Sequence, residues 1–146
     1  MPDFQEELLA YLKSRSAITD LVGVGNAARI YPDRMEQGVE MPYLVIVESG
    51  GENPEILSGT GGAGLVQSSW QIYSVAKNRK GANDLSEVVR LAPMQGFKGY
   101  MGTTFVNEVA CPQHRDSDVD DPVEGSSAYR YWTRRVYDIW HTQATS

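Results

Sequence analysis

The sequence predicts an α+β fold, with helices packed on one face of a mainly antiparallel sheet of four strands. Three observations predict it: a helix-rich start, a pair of strand-like segments in the middle, and a second pair after one crossing helix. A chain of 146 residues is long enough to bury the core of one domain, so we expect a single domain over residues 1–146.

Two helices are predicted at the start of the chain. Residues 3–14 carry apolar side chains at spacings of three and four, which is typical of an amphipathic helix. Asp3 is a candidate N-cap, with Glu6 three residues later. A second short helix is predicted over residues 17–22, and Gly23 ends it.

The first pair of strands is predicted over residues 43–49, which are rich in Val and Ile, and residues 65–76, which alternate apolar and polar side chains. A long hairpin joins them. Its glycines Gly59, Gly61 and Gly64 have the spacing of a dinucleotide-binding loop, but such a loop opens a helix, whereas here a predicted strand follows. We therefore interpret these glycines as the tip of the hairpin.

The crossing helix is predicted over residues 83–92, with Asn83 as its N-cap and Pro93 as its stop. Residues 100–110 and 128–141 are the last two predicted strands, because both segments are strand-like in composition. These elements complete the α+β order of helices, two strands, a helix and two strands.

The final predicted strand carries large apolar groups on both of its faces. Alternation places Tyr129 on one face, and Trp132 and Trp140 on the other. Because helices cover only one face in this fold, the aromatic side chains of the other face are candidates for contacts between subunits, and we expect a homo-oligomer. The alternative is that some of them close a corner of the sheet.

Charge and hydropathy exclude several functional classes. The formal net charge of −6 opposes binding to phosphate backbones, which proteins usually hold with Lys and Arg. The longest apolar run, residues 43–47, is far too short to span a membrane. The start of the chain lacks the basic and apolar pattern of a signal peptide, so we expect an intracellular product.

Residues 111–125, CPQHRDSDVDDPVEG, contain the one cysteine of the chain and a histidine. Cys111 and His114 have the spacing of two zinc ligands, but a structural zinc site needs four, and the chain has only one further histidine. We predict no catalytic residue, metal site or cofactor. A metal-dependent enzyme that uses Cys111, His114 and Asp116 is the alternative from a different functional class.

The same segment imitates the start of a calcium loop with Asp116, Asp118 and Asp120. Asp121, however, occupies the position of the glycine that the sharp turn of such a loop requires, and Ser127 occupies the position of its bidentate Glu. We therefore interpret the segment as a solvated acidic loop between two strands.

The order of short phrases along the chain resembles a known family. The phrases are ELLAYLKSRSAITDLVG, RIYPDR, MPYLVIVES, VQSSWQIYSVAKN, NDLSEVVRLA and YRYWTRRVYDIW, and they resemble the tail-completion family of long-tailed bacteriophages. These proteins are also described as tail terminator or tail-to-head joining proteins. The resemblance covers most of the chain and includes no catalytic motif. The extended acidic segment between the last two strands departs from the usual form.

The resemblance implies a small subunit, without enzymatic activity, that forms a ring, commonly a hexamer, at the head-proximal end of the tail tube. Such a ring stops tube polymerisation and binds the tail tube protein and a neck or connector protein. The resemblance also implies that the protein is located at the tail–neck junction of the virion, and in the host cytoplasm during assembly. DNA would pass through the ring only as cargo. A head-closure or minor tail protein of the same region is the nearest alternative.

An acidic chain suits a tail lumen through which DNA must slide. We expect that the hairpin carrying three glutamates, or the acidic segment before the last strand, faces the lumen or a neighbouring ring. The candidate interface residues are therefore Glu48, Glu52, Glu55, Asp116, Asp118, Asp120, Asp121, Glu124, Tyr129, Trp132 and Trp140.

Overall fold

The structure is a computed structural model, and it describes residues 4–23, 28–33, 40–49, 65–94, 96–110, 115–120 and 129–142. Over these ranges the helices are α1 (Phe4–Lys13), α2 (Ser16–Val22) and α3 (Arg79–Val89), and a π-helical turn, Arg90–Met94, follows α3. The strands are β1 (Ile30–Pro32), β2 (Tyr43–Glu48), β3 (Leu65–Ala76), β4 (Gly99–Met101), β5 (Thr104–Ala110), β6 (Arg115–Asp120) and β7 (Arg130–Thr142).

The strands form one mixed sheet in the order β1-β2-β3-β7-β5-β4, and β6 also pairs with β7. The β1–β2 pair is parallel, and the other pairs are antiparallel. Strands β5 and β6 follow one another along the same edge of β7, opposite residues 138–141 and 130–135 respectively. The α+β class is confirmed, but the prediction of four mainly antiparallel strands is wrong.

Three local features account for the additional strands. Ile30 to Pro32, for which no strand was predicted, pair in parallel with β2. Residues 100–110, predicted as one strand, are divided into β4 and β5 by a turn in which Gly102 has a φ of 60°. Residues 115–120, predicted as part of a loop, form β6.

The crossing helix begins earlier than predicted. Asn78, rather than Asn83, is its N-cap, and the Asn78 side chain accepts a hydrogen bond of 2.6 Å from the backbone N–H of Gly81. Asn83 lies inside α3, where its side-chain oxygen accepts a hydrogen bond of 2.7 Å from the hydroxyl of Thr133 on β7. The helix begins with the exposed, charged residues Arg79 and Lys80, so the apolar periodicity begins only after the helix has started.

The three helices pack on one face of the sheet and form the main core with it. The helices and the turn after α3 contribute Phe4, Leu8, Leu12, Ile18, Val22, Leu85, Val89 and Met94, and the sheet contributes Leu44, Ile46, Trp70, Ile72, Tyr137 and Ile139 among others. These sheet residues share a face by register. Each buried Leu, Ile or Val stabilises the fold by about 1.5–3 kcal/mol relative to an exposed one.

The opposite face of the sheet, called the open face here, has its own smaller cluster. Tyr43, Val45 and Val75 are buried there, with Tyr31, Met41, Val47, Tyr73 and Trp132 packed around them. Among the described residues, no helical side chain belongs to this cluster. Register also places Asp116, Asp118, Asp120, Arg130, Arg134, Val136, Asp138 and Trp140 on the open face.

Candidate assembly surface

The open face gathers most of the predicted interface residues that the structure describes. Asp116, Asp118 and Asp120 of β6 lie there with Trp132 and Trp140 of β7. Tyr129, 49% exposed, directly precedes β7, and Glu48 is exposed at the end of β2 on the helix-covered face. The predictions for Glu52, Glu55, Asp121, Glu124, Cys111 and His114 lie outside the described residues.

Two of the aspartates of β6 are neutralised by arginines of β7. Asp116 forms an ion pair and hydrogen bond with Arg134, and Asp120 lies 3.7 Å from the Arg130 guanidinium. The indole N–H of Trp132, between these arginines, donates a hydrogen bond of 3.3 Å to Asp120. These groups are half-buried, so the pairs are screened less than exposed ones would be.

Asp118 differs from its two neighbours on β6. Its side chain is exposed and accepts a hydrogen bond of 2.8 Å from the backbone N–H of Val119. The interpretation of residues 115–120 as a solvated loop is therefore wrong, because β7 provides both the hydrogen-bond ladder and the counter-charges. The spacing of two between the aspartates, matched by that between Arg130, Trp132 and Arg134, was the available sign of a strand.

The two acidic segments leave the sheet at opposite ends. Leu65, where the chain returns after β2, is paired with Thr142 at one end of β7, whereas Asp120 is paired with Arg130 at the other end. The 13 residues of β7 span about 40 Å at the usual rise of a strand. The sheet ends near Leu65 and near Asp120 therefore belong to two separate surfaces, whereas Glu48, paired with Trp70, lies level with Tyr137 between them.

A buried carboxylate that the sequence analysis missed ties α1 to the turn between β4 and β5. Glu7 is 4% exposed and accepts hydrogen bonds from the backbone N–H and hydroxyl of Thr103 and from the hydroxyl of Thr104. We call this contact the Glu7 latch. Burial raises the pKa of Glu7, but the hydrogen bonds from the two threonines lower it by more, so the net pKa lies below its ordinary value.

The turn of the latch requires a glycine. Gly102 has a φ of 60°, which is the left-handed region, and a Cβ at this position would collide with the Glu7 carboxylate. A Glu on the apolar face of a helix was the one indication of the latch in the sequence, because such a position otherwise carries a core residue.

A second buried polar network joins β3 to β7. Trp70 Nε1 donates to Ser68 Oγ at 2.8 Å, and Ser68 Oγ lies 2.9 Å from His141 Nε2. His141 Nδ1 lies 2.7 Å from the carbonyl oxygen of Thr142, so Nδ1 carries the proton and Nε2 accepts from Ser68. Burial lowers the pKa of His141, and its ring stacks on Phe4 with centroids 4.1 Å apart. The network holds the end of β7 against α1.

The described residues contain no group of three His, Cys, Asp or Glu side chains that could hold a metal ion. Within the same ranges, no helix has both the length and the apolar character needed to cross a membrane.

Comparisons with known proteins bear on the fold and on the family. The family model described as tail completion protein gp17 matches residues 6–92. No curated protein was found to match the chain. A chain of the solved structure "Virion of native gene transfer agent (GTA) particle" is similar, with a TM-score of 0.58 and 11% identity, over 94% of this chain and 95% of that chain. That likeness shows a shared fold over nearly the whole of both chains.

Proposed function

Because the chain belongs to the tail completion protein gp17 family, and is therefore a structural phage tail protein, we propose that it caps the tail tube as an oligomeric ring. In this proposal the ring is a hexamer at the tail–neck junction of the virion, and it forms in the host cytoplasm during assembly. It stops tube polymerisation and joins the tail to the neck and head. Its partners are other copies of itself, the tail tube protein and a neck or connector protein.

The open face is the observation that carries this proposal. It combines aromatic side chains, Trp132 and Trp140, with two aspartate–arginine pairs, which is the composition expected of a subunit contact. An unpaired charge would oppose burial in such a contact, whereas a paired charge can be covered at a smaller cost.

The separation of the two sheet ends supports a role in joining different partners. With the strands aligned along the tail axis, the end near Leu65 would face one neighbouring ring and the end near Asp120 the other. A cap needs two different ends, because identical contacts at both ends would allow the tube to continue.

Passage of DNA through the ring is compatible with the charges of the chain. Both arginines that the structure describes on the open face hold an aspartate, so they add little free positive charge to the subunit. The net charge of −6 acts in the same direction. DNA is therefore cargo in this proposal, rather than a ligand.

The test is assembly of the purified full chain, alone and with polymerised tail tubes, by negative-stain imaging and mass measurement. We expect rings, and tubes of limited length that end in a ring. Trp140→Glu should prevent both, because it buries a charge in the contact, whereas Leu91→Glu, a change at an exposed apolar residue after α3, should not. A wild-type chain that neither forms rings nor binds tube ends would overturn the proposal.

A further inference from the structure

A groove lies on the helix-covered side of the sheet, between α2, the start of α3 and the adjacent ends of β2 and β3. Its volume is about 320 Å³. Apolar side chains form most of its lining, and Leu21 on its border is 41% exposed. Lys77 lines the groove and leaves positive charge at its border, while Lys80 is paired with Asp84 at 2.6 Å.

The outer edge of β6 has the complementary character. Among the described residues, β6 pairs with β7 along one edge only. Val119, 37% exposed, lies there next to Asp118, whose exposed carboxylate bonds only its own strand in the described contacts. The edge therefore presents an apolar side chain on the helix-covered face and a negative charge on the open face, and the groove presents an apolar lining beside the positive charge of Lys77.

We infer that the β6 edge of one subunit docks in this groove of a second copy of the chain, with Val119 against Leu21 and Asp118 beside Lys77. The inference rests on the ring proposed above and names a second contact between its subunits, in addition to that of the open face. Charge complementarity selects the partner, because one chain carries both the acidic edge and the basic border.

The groove and the β6 edge lie at the same position along the strand direction, which suits a closed ring. Ala76, at the groove, is paired with Tyr131 of β7, and Tyr131 is paired with Val119 of β6. The groove and the edge thus lie at the same end of the sheet, on opposite sides of β7. Head-to-tail contacts between two surfaces at the same height along the ring axis allow the ring to close, whereas a rise from each subunit to the next would produce a helical filament.

A charge exchange tests the contact directly. Lys77→Glu and Asp118→Lys should each weaken self-association of the full chain at least about tenfold, because each brings like charges together, and the double variant should recover most of the loss. Asp118→Asn should have a smaller effect, since Asn keeps an acceptor for the Val119 N–H. Lys98→Glu, at an exposed lysine near β4, is the matched control and should change nothing.

A mixing experiment tests the head-to-tail geometry. Leu21→Glu should block the groove and Val119→Lys should block the edge, so neither variant alone should assemble. An equimolar mixture should form discrete dimers, because one intact groove and one intact edge remain. Far-UV circular dichroism checks that both variants are folded.

The outcomes separate this inference from the ring itself. Wild-type rings together with single variants that assemble normally would overturn the inference and leave the proposed function standing. A double variant that fails to recover, or a mixture that stays monomeric, would also overturn the inference. A wild-type chain that forms no ring, alone or on tail tubes, would overturn the proposed function and the inference with it.

Discussion

The Glu7 latch is expected to make a measurable contribution to stability, and Glu7→Gln is the change that tests it. Gln has nearly the same shape as Glu, so it leaves the packing of α1 unchanged. It removes the negative charge that accepts hydrogen bonds from Thr103 and Thr104. The substitution therefore isolates the charge of the latch.

The expected loss follows from the three hydrogen bonds. A hydrogen bond to a charged group contributes about 1.5–3 kcal/mol, and a neutral one about 1 kcal/mol. Three such exchanges cost about 3 kcal/mol, and relief from burying a charge offsets part of this, so we expect a net loss of about 2 kcal/mol. For a chain of this length the melting temperature should fall by about 4–8 °C.

Thermal and urea unfolding at neutral pH provide the assay, with Glu6→Gln as the matched control. Glu6 lies on the same helix but is exposed, so its substitution should change stability by less than about 0.5 kcal/mol. The loss in Glu7→Gln should appear in the urea midpoint without a change in the slope of the transition, because the folded structure is the same.

The pH dependence gives a second, independent check. The folded pKa of Glu7 lies below the ordinary value of 4.5, so its stabilisation is complete above that value and is lost as the pH falls through the folded pKa. The gap in stability between wild type and Glu7→Gln should therefore close on acidification. A gap that stays constant below pH 4.5, or a Glu7→Gln variant as stable as the Glu6→Gln control, would refute the reasoning.

Three further predictions concern the turn, β6 and the buried histidine. Gly102→Ala should lower the free energy of unfolding by about 2–4 kcal/mol, because the added Cβ meets the Glu7 carboxylate. Gly96→Ala, also at positive φ but in open space, should lower it by about 1 kcal/mol. Equal melting temperatures of the two variants would contradict this. Asp116→Asn should lower the urea midpoint by the equivalent of about 1 kcal/mol, because it breaks the ion pair with Arg134. Asp118→Asn should leave the midpoint unchanged. A larger loss in Asp118→Asn than in Asp116→Asn would contradict the ion pairing proposed for β6. Burial lowers the pKa of His141 below its ordinary 6.5, so as the pH drops the unfolded chain binds a proton at His141 at a higher pH than the folded chain does, and the free energy of unfolding should fall below pH 6.5. His141→Gln should remove this fall in stability. A variant whose stability depends on pH as that of the wild type does would contradict the prediction.

Local periodicity in the sequence was enough to predict α1 and β3. The alternation of residues 65–76 predicted β3 with its observed bounds, and the spacing of apolar residues predicted α1. The same alternation placed Trp132 and Trp140 on one face of β7. These predictions succeeded because the side of a helix or strand that is buried is recorded in its own residues.

Tertiary structure alone decided where β1, β6 and the Glu7 latch would form. Residues 115–120 have no apolar alternation, and they become a strand because β7 supplies the hydrogen-bond ladder and two arginines from elsewhere in the chain. Glu7 is tolerated in the core because Thr103 and Thr104, almost a hundred residues away, satisfy its carboxylate. Apolar, acidic and turn-forming residues can be recognised from their types, but the pairing of charge with counter-charge depends on distances that only the folded chain defines.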